Sequence, residues 1–530
     1  MRKCKVLSIR ALGLQAAISF LALSPVLSVA EDSGWETHLK AAVHYQEVGN
    51  YAAAEHACLA AVNEAEKFGS NDLRLATSLN NLALLYKIQA KYAEAEPIYR
   101  RALGIVDKAL GPEHPSLASI LNNIAELDRS LGKYTEAEVL YQRAVVIREA
   151  KLGRAHPEVA QILNNLATLY FSKGQGAQAE PAFLEALTIR ESTLGPEHTE
   201  VAATLNNLAE LYRFQGKLRQ AEPLYVRALA IWQKTFGSDH PDVAMCQNNL
   251  AVLYYEQGRY TEAEPLLLRA VEIREKVLKP GHPDLAASLN NLAALRLAQG
   301  QPGQAEILYR RVLSLQEKSL GPTHPAIAAT LYNLAELIRT QRVRHVSPEP
   351  LYRRALSIWE QSLGPDHPDV AKGQDSLAEI YRSKGKFDKA EALLRSSLAV
   401  REKALGAEHP DVAASLNNLG VFYYGRHQYA MAEPLFQRAL VIWEKAFGAE
   451  HHNVVRSLRH LAEVYSAQDR YRDSIASYQR VASIQERPLA THNPELAVTL
   501  KSWALLLRKV HQKSEAAELE QRARAVGSKP

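Results

Sequence analysis

Between His198 and Gly237 the chain carries two helical stripes of apolar residues. Val201, Leu205, Leu208, Ala209 and Tyr212 recur at i, i+4, i+7, i+8 and i+11, which is one face of an α-helix. Gly216 ends that stretch, and a second stripe follows with Ala221, Leu224, Tyr225, Ala228, Leu229, Ile231 and Trp232. Ala209, Ala221 and Ala228 are small enough to let the two predicted helices approach closely. Gly237 closes the second helix and His240-Pro241 opens the next one. Proline suits the first helical position, and Asp242 suits the positive end of the helix dipole.

The same pattern returns along almost the whole chain. Leu-Asn-Asn-Leu-Ala begins at Leu79, Leu163, Leu205 and Leu289, with Ile124 varying the copy at Leu121, Gln247 opening another and Gly420 ending the copy at Leu416. The spacing is 42 residues, with one extra residue between Tyr332 and Leu351. Weaker copies continue at Leu331, Asp375, Leu458 and Leu500, and an early partial copy surrounds Ala42 and Tyr45. The pattern predicts twelve helix pairs over residues 36–525, the last over 497–525 acting as a cap. One pair alone cannot bury its apolar faces, whereas stacked neighbours can, so the expected result is a curved solenoid stabilised at nearest-neighbour interfaces.

The repeat resembles a known family. Leu-x-x-Leu-Ala-x-Leu-Tyr, Gly-Lys-Tyr-x-Glu-Ala-Glu-Pro and Leu-Gly-Pro-x-His-Pro look like tetratricopeptide repeats of the kinesin-light-chain type. That resemblance implies an all-α, right-handed superhelical solenoid of antiparallel helix pairs, a concave groove lined by the first helices, and a protein or peptide ligand held there. It does not carry motor-cargo function, because an export-type segment stands where the family has a coiled coil.

With Leu79, Leu82, Ala83 and Tyr86 set on the buried face, Asn81, Leu84 and Ile88 fall on the opposite side of the first helix at 100° per residue. The second Asn of each pair then forms a row: Asn81, Asn123, Asn165, Asn207, Asn249, Asn291, Asn333 and Asn418. The row falters at Ser376, His460 and Ser502. An amide both donates and accepts, so such a row can pair with an extended peptide backbone, and the resemblance implies that role for these positions. It can equally bond between adjacent repeats. Some role is expected, because Asn inside a helix costs about 0.5 kcal/mol relative to Ala. Lys87, Arg129, Arg213, Arg339 and Arg382 make a second row available to acidic groups, four of them three residues after Glu126, Glu210, Glu336 and Glu379. The plain alternative is i, i+3 ion pairing on the helix surface. Phe171, Tyr255, Leu297 and Tyr424 stand at matching positions, so the groove would alternate basic and apolar patches.

The first thirty residues change the charge picture. Arg2, Lys3, Lys5 and Arg10 precede an apolar run from Ala11 to Val29, which ends Ser28-Val29-Ala30 before Glu31-Asp32. This reads as a secretory signal over residues 1–30 cleaved after Ala30, leaving residues 31–530 as the solenoid and a periplasmic or secreted location. The alternative is an uncleaved membrane anchor. The chain has 63 basic and 58 acidic residues; losing those four bases leaves 59 against 58, so no nucleic-acid footprint is expected. Cys58 and Cys246 lie in different repeats and suggest no disulfide.

Histidines at 114, 156, 198, 240, 282, 324, 367 and 409 mark the inter-repeat turns. Metal ligands must converge within about 2 Å of the ion, and successive turns lie on the order of 20 Å apart, two helix diameters, so these residues are expected to cap turns. Trp232, Trp359 and Trp443 share one position and are expected to pack. No Gly-rich phosphate loop, zinc cluster or nucleophile elbow occurs. The expected function is a non-enzymatic scaffold without cofactor, which binds a peptide or protein segment. The alternative is a structural component acting through its convex face or its ends. Oligomeric state is not legible.

Overall fold

A computed structural model describes residues 34–47, 50–278, 280, 282–341, 346–486 and 494–527. The expected export segment, residues 1–30, lies outside them. The described residues form twelve helix pairs and no strand, from Gly34–Glu47 with Tyr51–Glu66 to Pro494–Lys509 with Lys513–Gly527. They fall into two compact units divided after Gly373. The first holds eight pairs and the start of the helix Pro368–Ser383; the second holds the rest.

Most first helices begin on a histidine, whereas Asp72 caps Leu73–Ile88. His114, His156, His198, His240, His282, His409 and His451 occupy the N-cap, and each Nδ1 accepts the backbone N–H two residues on, at 3.0–3.2 Å. The imidazole thus takes the place of the usual Ser or Asp cap and satisfies one orphan donor. The turn inside each pair needs a left-handed residue. Gly132, Gly216 and Gly258 supply it at φ +74 to +75°, whereas Ala90 takes φ +55° without the freedom of glycine.

The fifth pair, Thr199–Phe214 with Leu218–Phe236, shows how the core is built. Val201, Leu205, Ala209, Ala221, Tyr225, Ala228, Ile231 and Trp232 pack together with Val243, Ala244, Leu250 and Leu253 of the next pair. Leu208 and Leu211 of the same first helix pack backwards, on Ala167, Ala179 and Phe183. A first helix is therefore buried around its whole circumference, and Val201, Thr204, Asn207 and Glu210 are all inaccessible. The face opposite the apolar stripe is therefore packed as well. Each fully buried leucine contributes about 2 kcal/mol of hydrophobic stabilisation. Trp232, Trp359 and Trp443 retain at most 2% exposure and pack as expected.

The twelfth pair ends the array, and its core closes on Leu500, Ala504, Leu507, Ala516 and Leu519. No helix among the described residues is long and apolar enough to cross a membrane.

Candidate functional site

The asparagine row lies inside the stack. Asn81, Asn123, Asn165, Asn207, Asn249 and Asn291 keep 5% exposure or less, while Asn333 and Asn418 are half-buried. Five of the second asparagines donate from Nδ2 to Oδ1 of the first Asn of the preceding pair. These bonds are Asn123 to Asn80 at 3.0 Å, Asn165 to Asn122 at 2.9 Å, Asn207 to Asn164 at 3.2 Å, Asn249 to Asn206 at 3.0 Å and Asn291 to Asn248 at 2.9 Å. Asn80, Asn122, Asn206 and Asn248 pass the chain on to their own neighbours at 3.3–3.4 Å. Asn418 donates instead to Asp375 at 3.3 Å, where Asp replaces the first Asn. These bonds are the inter-repeat pairing expected of such a row. In this structure the amides down to Asn291 are too buried to present a continuous surface to a peptide.

The basic row is held in ion pairs. Glu126 accepts from Arg129 at 3.0 Å, from Lys87 of the preceding pair at 3.4 Å and from the Tyr141 hydroxyl. Burial would raise the Glu126 pKa, but Arg129 and Lys87 outweigh it and hold the carboxyl down at about 2. Burial pulls the Lys87 ammonium below its ordinary range. Arg213 binds Glu210 through Nε at 3.0 Å and also Glu256 of the next pair, while Tyr225 donates to Glu210 at 2.7 Å. Arg339 pairs with Glu336, which also accepts from Tyr352, and Arg382 pairs with Glu379 at 2.6 Å. The surface-pair expectation fits Arg382, whose side chain is 41% exposed, but not Arg213 at 7%. Lys87, Arg129 and Arg213 are neutralised inside the stack, so they do not act as open cations.

What the first helices leave accessible lies at their C-terminal ends. Phe171 and Phe214 meet edge to face with centroids 5.1 Å apart, and Phe214 is 40% exposed. Tyr255 leans on Tyr260 at 5.7 Å, and Leu297 is half-buried. Tyr424 contacts Tyr429 at 5.6 Å in the second unit. Phe171, Tyr255, Leu297 and Tyr424 occupy the same register as Lys87, Arg129 and Arg213, and Phe214 stands one residue beyond it.

A second buried polar register escaped the sequence reading. Arg190 donates to Thr204 Oγ1 at 2.7 Å and Arg274 to Ser288 Oγ at 2.5 Å. Thr330 donates to Gln316 at 2.8 Å, Thr499 to Gln485 at 2.8 Å, and Arg401 bonds Ser415. Each tie joins a second helix to the next first helix, 14 residues on. The signal was available: the position that holds Trp in three repeats holds Arg or Gln in others, with Thr or Ser always 14 residues later in these five cases.

The tetratricopeptide repeat family model matches nine segments, most of them overlapping, from residues 36–108 to 411–487. The chain is a tetratricopeptide-repeat protein. No curated protein matches it. Among solved structures, this repeat array is similar to BtubC (BKLC) from P. vanneervenii, at 28% identity over 44% of this chain and 92% of that one, TM-score 0.36. It is also similar to the Podosopora anserina putative kinesin light chain with nearly identical TPR-like repeats, at 32% identity over 39% and 98%, TM-score 0.33. Tetratricopeptide-repeat proteins are generally non-enzymatic scaffolds for protein–protein interaction, and no catalytic family is indicated.

Proposed function

We propose that the protein is an exported scaffold that holds an extended peptide or protein segment along the inner face of its repeats. The observation that carries this reading is the partly exposed row at the C-terminal ends of the first helices, where Phe171, Tyr255 and Leu297 share one repeat position and the exposed Phe214 stands one residue beyond it. Stacked repeats create extended concave surfaces of this kind. Apolar and aromatic anchors give most of the energy of such interfaces. The asparagine amides contribute by fixing the spacing of those anchors rather than by touching the ligand. Arg339, which keeps 31% side-chain exposure, supplies a charged contact in the first unit, and Arg382, at 41%, supplies one in the second.

A second reading places the partner on the outer face. Leu184, Val226 and Leu268 share one position in three consecutive second helices and are 42%, 48% and 45% exposed. Photo-crosslinking residues placed at Phe214 and Leu297, and separately at Leu184 and Val226, in the source cell separate the two. Adducts at the inner positions alone support the first reading. Adducts at the outer positions alone replace it, and absence of adducts at both overturns both. Export is proposed from the Ser28-Val29-Ala30 ending of the apolar run. Intact-mass measurement of the exported protein should give a chain beginning at Glu31; one beginning at Met1 would instead favour an anchored form.

A further inference from the structure

Within the first unit the array coils far enough for late repeats to meet early ones. The Tyr51 ring, at the start of the first pair's second helix, lies 6.2 Å centroid to centroid from His282, which caps the seventh pair. Gly132, in the turn of the third pair, lies against the ninth: a Cβ there would sit 3.5 Å from His367 Cδ2 and 3.5 Å from Pro368 Cδ. Between these two contacts, His324 faces the backbone of Ile88 at the end of the second pair's first helix. The partners are 231, 236 and 235 residues apart, each between five and six repeats.

Three histidines thus act twice. On one ring edge Nδ1 caps its own helix, accepting from Asp284, Ala326 or Asp369. The rest of the ring packs on the turn of an early pair. The burial of these rings reports the contact: the His282 and His367 side chains keep 15% and 9% exposure, against 36% for His240, which caps the sixth pair. Charge follows the same line, since Asp284 acts on Tyr51 and Asp369 on Tyr92.

From this register we infer that the turns of the first three pairs and the capping histidines of pairs seven to nine form a seam that closes the side of the coil. A segment then reaches the inner face there from the ends of the coil or when the seam parts. The gating consequence rests on the inner-face reading above; the seam itself does not, and its test needs no partner.

The test uses the full chain with Cys4→Ala, Cys58→Ala and Cys246→Ala, carrying Tyr51→Cys and Asp284→Cys on the two sides of the seam. A short bis-maleimide should give an intramolecular cross-link between them, read by mass spectrometry. Adding Gly132→Trp, which drives a ring into His367 and Pro368, should lower the yield severalfold. Gly258→Trp is the matched control: its φ of +75° equals the +74° of Gly132 to within a degree, and nothing lies within 4 Å of the site. It should leave the yield unchanged. Absence of the cross-link while both thiols react singly, or an equal fall in both tryptophan variants, overturns the seam. If Gly132→Trp fails to fold, the yield in the parent pair alone decides.

Discussion

At the scale of single residues, the chain places polar groups where a helix pair would ordinarily place leucine, and then satisfies them across the repeat boundary. Asn207 is wholly buried, donates to Asn164 and accepts from Asn206 at 3.4 Å. Asn207→Ala therefore removes the donor to Asn164 and the acceptor for Asn206, and should destabilise the protein by about 2 kcal/mol, seen as a lower urea midpoint. A ligand-contact role alone would leave that midpoint unmoved. Glu126 adds a pH signature. Its folded pKa of about 2 lies below the ordinary 4.5, so the folded chain binds fewer protons than the unfolded one between those values. The stabilisation is complete above about 4.5 and disappears as the pH falls toward 2; its ceiling is about 3 kcal/mol. The stability gap between the parent and Glu126→Gln should narrow across that window in chemical denaturation; a constant gap would mean that Glu126 is not held ionised. Asp128 runs the other way. Burial lifts its pKa to about 6, so it costs stability at neutral pH, and Asp128→Asn should raise the thermal midpoint at pH 7 while the difference fades toward pH 4.

At the scale of the helix, most of the fold was legible. The 42-residue period, the Gly stops and the His-Pro starts place helices such as Pro157–Ser172 and Pro241–Glu256 within a residue or two. The site was less legible, for a geometric reason. A helical wheel assigns the side opposite Leu79 and Tyr86 to solvent, but a first helix in this array also meets the first helices of both neighbouring repeats, and Leu84 is left 1% exposed. Asn81 and Glu126 therefore lie inside the stack, whereas Phe214, beyond the end of that packed stretch, is accessible. The Arg190–Thr204 tie was missed because a helix-by-helix reading does not compare positions 14 residues apart across a turn. Packing detail also overrides the repeat consensus at Gly420, which stands where Ala83, Ala125 and Ala209 stand elsewhere. A Cβ there would lie 2.7 Å from Phe436 Cε1. Gly420→Ala, an apparent return to consensus that also favours helix, should destabilise by about 1–3 kcal/mol through overpacking. Combining it with Phe436→Leu should recover much of that loss in thermal melts.

At the scale of the molecule, the repeat makes stability a sum of interfaces rather than the property of one core. The first unit carries the longest amide runs, Asn165 to Asn81 and Asn291 to Asn164. The second has one substitute bond at Asp375, reinforced by Arg401 at 2.6 Å. Hydrogen exchange should follow that division, with the amides of Pro157–Ser172 and Thr199–Phe214 among the slowest and those of His452–Ala467 faster, because the last of these helices has no asparagine tie. Equal protection in all three would mean that the ladder adds nothing beyond apolar packing.

The ladder also has a direction. Each Asn of a later repeat donates to one 43 residues earlier, as Asn207 does to Asn164. An inserted or excised block of 42 residues re-forms the same bond with a new neighbour, whereas an odd residue breaks it. The chain can therefore lengthen or shorten in whole repeats at little cost, and a shorter change must fall where the amide pairing is already interrupted. The one extra residue lies between the helices Pro325–Gln341 and Glu349–Leu363, immediately before Asp375-Ser376 replaces Asn-Asn. The amide pairing thus works as a reading frame for duplication: it tolerates changes in the number of repeats and resists changes in their length.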